Sequence, residues 1–240
     1  MQVKKFWVKA FNLLGFMLAV FLITSPGTAE ADYYIGIVGI ESRTKNINLG
    51  DYTNLDDLDK HPLVYAQDVF EDILTTDLPS IGLIGVDKTS YAKMARKSEA
   101  EFQRVQEQMR KSISQLDKGN IEEAVKLFDK KLDYLIYGYI ANMTITHRES
   151  IVSSNLAVRI DLTTRIVDAS TGKVVCVATG KGESASRGAG HRKSFKFGGD
   201  EISEEAWHDA LEKALNQIVE KIYRFFVFGC NEADSCICTR

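Results

Sequence analysis

The chain reads as an α/β (α+β) sandwich: a mixed sheet containing an antiparallel hairpin, flanked by helices. Three observations predict it. Residues 156–168 alternate, with Val158, Ile160, Leu162, Thr164 and Ile166 pointing one way and Arg159, Asp161, Thr163 and Arg165 the other; that period of two belongs to a strand with one buried face. Asp168-Ala-Ser-Thr-Gly172-Lys then has turn chemistry, Asp folding back on its own backbone and Gly supplying positive φ, and Val174–Val177 return as the partner strand. Helical stripes of apolar residues lie on both sides of this region in the sequence, ready to cover the sheet.

Residues 1–31 read as a signal peptide rather than as part of the fold. Lys4, Lys5 and Lys9 make a basic head, residues 11–23 an apolar run, and Ala29-Glu30-Ala31 an A-x-A cleavage site. The run is 13 residues long, short of the ~20 that a membrane-spanning helix needs. The mature chain is therefore expected to begin at Asp32, to be exported, and to keep no transmembrane segment after cleavage. The organisation that follows is residues 1–31 as signal peptide, 32–228 as one α/β domain and 229–240 as a cysteine-containing tail.

Without residues 1–31 the chain holds 27 basic against 32 acidic residues, a net charge of −5. That balance argues against nucleic acid as a partner, since a phosphate-backbone binder needs a basic face. The 209 remaining residues suit a single domain with a sizeable core.

In order, Tyr33–Ile40 is a short apolar run expected as a central strand, its Gly36 and Gly39 marking close packing on the backbone. Residues 41–60 are polar and irregular. A helix follows over His61–Leu78, with Val64, Val69, Ile73, Leu74 and Leu78 as its stripe and Pro79 as its stop. Ile81–Val86 reads as a second strand. Phe102, Val105, Met109, Ile113 and Leu116 step by three and four along a long helix that Gly119 ends. Asn120 with Glu123 makes a capping-box-like start for a further helix carrying Ile121, Val125, Phe128 and Leu132. Leu132–Ile145 is then a Tyr- and Ile-rich strand, broken at residues 146–155.

Residues 180–199 (GKGESASRGAGHRKSFKFGG) read as a Gly/Ser-rich loop whose Lys181, Arg187, His191, Arg192, Lys193 and Lys196 form the one local positive patch, a candidate interaction site for an acidic partner or an anionic polymer. The loop matches neither a P-loop nor a dinucleotide fingerprint. Ser203 caps a last helix with the stripe Ala206, Ala210, Leu211, Ala214, Leu215, Ile218, Val219 and Ile222. Tyr223–Phe228 is an apolar run, either more core or an exposed docking patch.

Export places the cysteines in an oxidising compartment. Cys176 falls in a strand and reads as a small buried apolar side chain. In the tail, Cys230 is expected to pair with Cys236 or Cys238 in a disulfide, leaving one thiol over. The C-x5-C-x-C run lacks a fourth ligand for zinc. His61, His147, His191 and His208 show no metal-ligand spacing, no nucleophile elbow is present, and Asp161 and Asp168 either fall on opposite faces of one strand or are parted by the turn that takes Asp168 off it. No catalytic, cofactor or metal residues are therefore assigned, and the chain is expected not to be an enzyme.

Leu132-Asp-Tyr-Leu-Ile-Tyr-Gly138-Tyr-Ile resembles the "adYlitGsI" segment of the curli production assembly/transport (CsgG-like) family, and Arg165-Ile-Val-Asp168-Ala-Ser-Thr171-Gly172-Lys-Val resembles its "R-[LV]-V-D-x-x-T-G-x-[IV]" hairpin. The helix with Trp207, Ala210, Ala214 and Ile218 occupies the matching place, and Arg43-Thr44 is similar to the family's early "nrT" signature. The resemblance implies Gly138, Arg165, Asp168, Thr171 and Gly172 as motif residues, and an α/β sandwich in the bacterial cell envelope. With no Cys at the cleavage site, the chain looks like a non-lipidated periplasmic member. The implied role is an assembly or interaction component in curli-type secretion or envelope biogenesis, not a pore by itself, with envelope or secretion proteins as partners and a homo-oligomer as one outcome. The alternative from another class is a small-ligand-binding or hydrolytic module using the Gly180–Gly199 loop.

Overall fold

The alternation in residues 158–166 settles which side of the sheet is buried. In the computed structural model Val158, Ile160, Leu162, Thr164 and Ile166 are buried, while Arg159 is exposed and Asp161, Thr163 and Arg165 are half-buried. The structure describes residues 33–44, 62–86, 99–149, 154–186, 194–197 and 200–229. In chain order these form β1 (Tyr33–Ser42), α1 (Pro62–Asp77) running into a 3₁₀ turn (Leu78–Ile81), β2 (Leu83–Val86), α2 (Glu99–Leu116), α3 (Glu122–Val125), β3 (Tyr134–Glu149), β4 (Ser154–Asp168), β5 (Val174–Ser186), β6 (Ser194–Phe197), β7 (Asp200–Ser203) and α4 (Glu204–Phe228).

Five strands make one mixed sheet in the order β2-β1-β3-β4-β5. β1 is parallel to both β2 and β3, and the long strands β3, β4 and β5 run antiparallel as two hairpins. The expected α+β sandwich with a mixed sheet is what forms, and the first strand is interior as its apolar run requires. β1 slips register at Val38, between Ile37 and Gly39, so an extra residue is accommodated in a bulge. β6 and β7 pair as a separate small hairpin.

Helices lie on both faces. α1 and α4 cover one face with Phe70, Leu74, Trp207, Leu211, Leu215, Ile218 and Ile222, all buried against Ile35, Ile37, Ile136, Ile160 and Ile166; Phe195 and Phe197 of β6 join this larger core. Trp207 anchors the junction, its Nε1 donating to the Pro62 carbonyl at 3.1 Å and its ring packing on Phe197 at 5.2 Å. α2 covers the other face with Met109, Ile113 and Leu116, joined by Ala124 of α3 and by Phe128 beyond it, against Val38, Leu135 and Val167. The stripe read for α2 is buried from Met109 onward; the Phe102 side chain lies outside the described residues. Ser203 caps α4, its Oγ accepting from the Ala206 N–H at 3.2 Å.

Three expectations are corrected. Residues 180–186 are not a loop: β5 runs through them to Ser186, and Ser194–Phe197 and Asp200–Ser203 are the paired strands β6 and β7. Gly180 and Gly182 are there because α4 passes very close; a Cβ added at Gly180 would stand 1.9 Å from the Ala214 carbonyl oxygen, and one at Gly182 1.7 Å from that of Ala210. The helix expected after Asn120 is a single turn. Asn120 Oδ1 accepts from the Glu122 N–H, but Ile121, Leu127, Phe128 and Leu132 reach the core through turns rather than a continuous helix. The break at residues 146–155 is shorter than read, because β3 continues to Glu149 and β4 starts at Ser154. The expected signal peptide over residues 1–31 and the cysteines Cys230, Cys236 and Cys238 lie outside the described residues; Cys176 is buried, as read.

The Gly182–Ala210 contact gives a direct test. Gly182→Val forces a side chain into the α4 backbone and should cost about 1–3 kcal/mol or more, read as a lower urea midpoint with unchanged slope. Ala185→Val, on the exposed side of the same strand, should stay within about 0.5 kcal/mol of wild type.

Candidate interaction surfaces

Of the motif residues, Arg165, Asp168, Thr171 and Gly172 gather where the C-terminus of α2 meets the sheet, while Gly138 packs on the other face. α2 ends in a turn in which the Asn120 N–H bonds the Gln115 carbonyl and the Gly119 N–H that of Leu116, both at 3.0 Å, with Gly119 at φ +79°; this is the left-handed glycine stop that helices favour. The turn places Asp117 over the outward-facing row of the sheet. Its carboxylate accepts from Tyr137 Oη at 2.7 Å, from Arg165 Nη1 at 2.7 Å, and from Arg43 Nη2. Arg43 also donates to Glu41, and its guanidinium lies over the Tyr139 ring at 4.1 Å, with that of Arg165 at 5.7 Å. Two guanidiniums face two carboxylates, so the cluster carries no net charge. Burial first, and then the bond to Asp117, hold the Tyr137 phenol well above its ordinary 10, so it stays a donor.

The β4–β5 turn abuts the same place. Asp168 Oδ1 accepts from the Ser170 N–H and Oγ and from the Thr171 N–H and Oγ1, all between 2.6 and 3.0 Å. The Ser170 hydroxyl foremost, with the backbone of Thr171 and Ser170, holds the Asp168 carboxyl below its ordinary value. Gly172 sits at φ +71°, and a Cβ there would stand 2.4 Å from the Gly119 carbonyl oxygen, so turn meets turn. Gly138 is packed beneath the Phe70 ring. Of the family-motif residues, then, Arg165 pins α2, Asp168, Thr171 and Gly172 build the turn it rests on, and Gly138 admits Phe70. Asp117 and Tyr137 complete the cluster without having been singled out in the sequence.

The basic patch does not come together among the described residues. Lys181 is on β5, opposite Asp161 of β4, and Lys196 is on β6, opposite Glu201; Arg187, His191, Arg192 and Lys193 lie outside the described residues. What lies next to Glu183 and Ser184 instead is an open polar groove of about 880 Å³, lined also by Glu205, His208, Asp209, Glu212 and Lys213. In it His208 Nδ1 is 3.1 Å from Tyr65 Oη and its Nε2 3.8 Å from Glu212.

The apolar run at the end of α4 is both of the things it was read as. Ile222 is buried and Phe225 and Phe226 pack on the core, while Tyr223, Val227 and Phe228 are 40%, 48% and 68% exposed. Exposed Tyr33 and Tyr34 open β1, and ring contacts link Tyr33 to Tyr134 and Tyr134 to Phe226, at 5.7 and 5.3 Å. One end of the sheet thus carries an aromatic surface. Among the described residues, no helix is long and apolar enough to cross a membrane.

Two tests follow from the junction. Asp117→Ala leaves two guanidiniums and a buried phenol without their shared acceptor and should lower stability by about 1–3 kcal/mol, against about 1 kcal/mol for Tyr137→Phe, both by chemical denaturation. Asp168 stabilises the fold fully above its ordinary value of 3.8 and loses that contribution as pH falls through the lowered one. Asp168→Asn keeps an acceptor but does not titrate, so its melting temperature should fall less steeply than wild type's below about pH 4.

No curated protein matches the chain. Solved structures similar to it include CT253 from Chlamydia trachomatis, at 13% identity and a TM-score of 0.44 over 82% of this chain and 99% of that one. Lipoprotein GNA1162 from Neisseria meningitidis aligns at 11% identity and a TM-score of 0.34 over 66% and 87%. The PelC dodecamer from Paraburkholderia phytofirmans aligns at 14% identity and 0.30 over 80% and 91%. The family model for the curli production assembly/transport component CsgG matches residues 150–238, which span β4, β5, the β6–β7 hairpin and α4. Over this C-terminal portion the chain is similar to the CsgG family.

Proposed function

We propose that this chain is an exported, non-lipidated cell-envelope protein that acts as an assembly or interaction component in curli-type secretion or envelope biogenesis, working by contact rather than catalysis. The observation that carries this reading is the CsgG family match over residues 150–238. The leader-like residues 1–31 support export, and the exposed Tyr223, Val227 and Phe228 at one end of the sheet supply a surface for a protein partner or a second copy. The chain does not close a pore by itself on this reading: β4 and β5 spend their apolar faces on α1 and α4, whereas a barrel strand turns its apolar face to lipid.

The reading is tested by fractionating cells and cross-linking the envelope in place. The chain should appear in the envelope fraction within a species larger than the monomer, and Phe228→Ser should reduce that species. Purified chain added to dye-loaded liposomes should release no dye. Recovery as a cytosolic monomer that cross-links to nothing would overturn the proposal.

The groove beside Ser184 supports a second reading, a small-ligand-binding or hydrolytic module, because it brings His208 between a phenol and a carboxylate. Thermal stabilisation by a small cationic ligand that disappears in Glu212→Gln would favour it.

A further inference from the structure

β5 is the last strand of the five-stranded sheet, and a terminal strand presents a row of backbone N–H and C=O groups open to pairing with another chain. Here side chains of α4 occupy the middle of that row, from Thr179 to Glu183. Lys221 Nζ donates to the Thr179 carbonyl at 2.6 Å. Gln217 accepts from the Lys181 N–H at 3.1 Å and donates to the Lys181 carbonyl at 2.8 Å. Lys213 Nζ, steadied by Asp209 at 2.7 Å, donates to the Glu183 carbonyl at 3.3 Å.

The match is one of repeats. Residues 213, 217 and 221 are four apart on a helix, about 6 Å per step; residues 183, 181 and 179 are two apart on a strand, about 6.8 Å per step. Successive helix turns therefore meet successive outward-facing strand residues, and the side-chain amide of Gln217 bonds both backbone groups of Lys181 as a neighbouring strand would. Gly180 and Gly182 allow this, by letting the α4 backbone lie against β5 so that these side chains overhang its edge.

We propose that Lys213, Gln217 and Lys221 form a guard that denies the β5 edge to strand addition, and that the strand it keeps away is β5 of a second copy of this chain. A second copy brings the same edge at the same register, and an antiparallel β5–β5 pair would join two sheets through these same backbone groups. This inference stands apart from the proposed envelope role.

The test is the full chain with Lys213→Ala, Gln217→Ala and Lys221→Ala together, checked for folding by circular dichroism and followed by sedimentation equilibrium. Self-association should tighten by about tenfold or more over wild type, and adding Lys181→Pro, which removes the central edge N–H, should return it to the wild-type level. Hydrogen exchange at the Lys181 amide should be slow at high protein concentration and fast at low. If the triple variant does not fold, Gln217→Ala alone carries the same readouts. A folded variant that associates no more strongly than wild type overturns the proposal, as does tightened association that Lys181→Pro leaves unchanged.

Discussion

The closeness of α4 to β5 is the constraint from which most of the molecule follows. Ala210 and Ala214 carry only methyl groups toward the sheet, and Gly180 and Gly182 carry nothing toward the helix. The two backbones therefore come nearer than side chains of ordinary size permit, and dispersion contacts multiply along the seam. Glycine inside a strand costs about 0.5–1 kcal/mol relative to alanine. Here that cost is offset because α4 can set Trp207, Leu211, Leu215 and Ile218 into the core beside Ile160 and Ile166. The same closeness decides where the polar flank of the helix lies, over the edge of β5.

The opposite face is held in a different way. The core under α2 and α3 is smaller, and the end of α2 is fixed by a neutral polar cluster and by glycine-on-glycine contact between two turns. Asp117 serves three donors from three separated parts of the chain: Arg43 just after β1, Tyr137 on β3 and Arg165 on β4. Because these side chains are part-exposed and their attraction is screened by solvent, the value of the cluster lies in geometry more than in Coulomb energy. A helix whose outer side is heavily charged is thereby tied to the sheet at its last turn.

Much of this was legible in the sequence, for definable reasons. β4 alternates in polarity, Ser203 stands where a cap belongs, and the Asp168–Gly172 turn carries its own hydrogen-bonding residues; each is a local signal that tertiary contacts reinforce. Residues 180–186 failed because glycine, serine and lysine mean loop by composition. Their real alternation is in size, with Gly180, Gly182 and Ser184 facing in and Lys181, Glu183 and Ala185 facing out, and small inward residues register as strand only once α4 is known to lie on them. The helix expected at Ile121–Leu132 failed because apolar residues at helical spacing can also be buried by successive turns. At the junction, Arg43 and Arg165 came from the family resemblance. Asp117 did not, since one acidic residue after a charged helix has nothing local to mark it.

The treatment of the sheet edges bears on how such a protein can touch others. β2, the other terminal strand, is only four residues long, and short edges offer little for strand addition. β5 is long, but α4 side chains occupy backbone groups in its middle, at Thr179, Lys181 and Glu183. With one edge short and the other guarded, contacts among the described residues are left to side chains: the exposed face of β3–β5, the polar groove by His208, and the aromatic end formed by Tyr33, Tyr34, Tyr223, Val227 and Phe228. Of these only the aromatic end exposes large apolar groups, so it has the most to gain from being covered. A chain built this way can associate through chosen surfaces while its sheet stays closed to unplanned pairing. Long antiparallel hairpins make that pairing the main hazard, and α4 is placed against it.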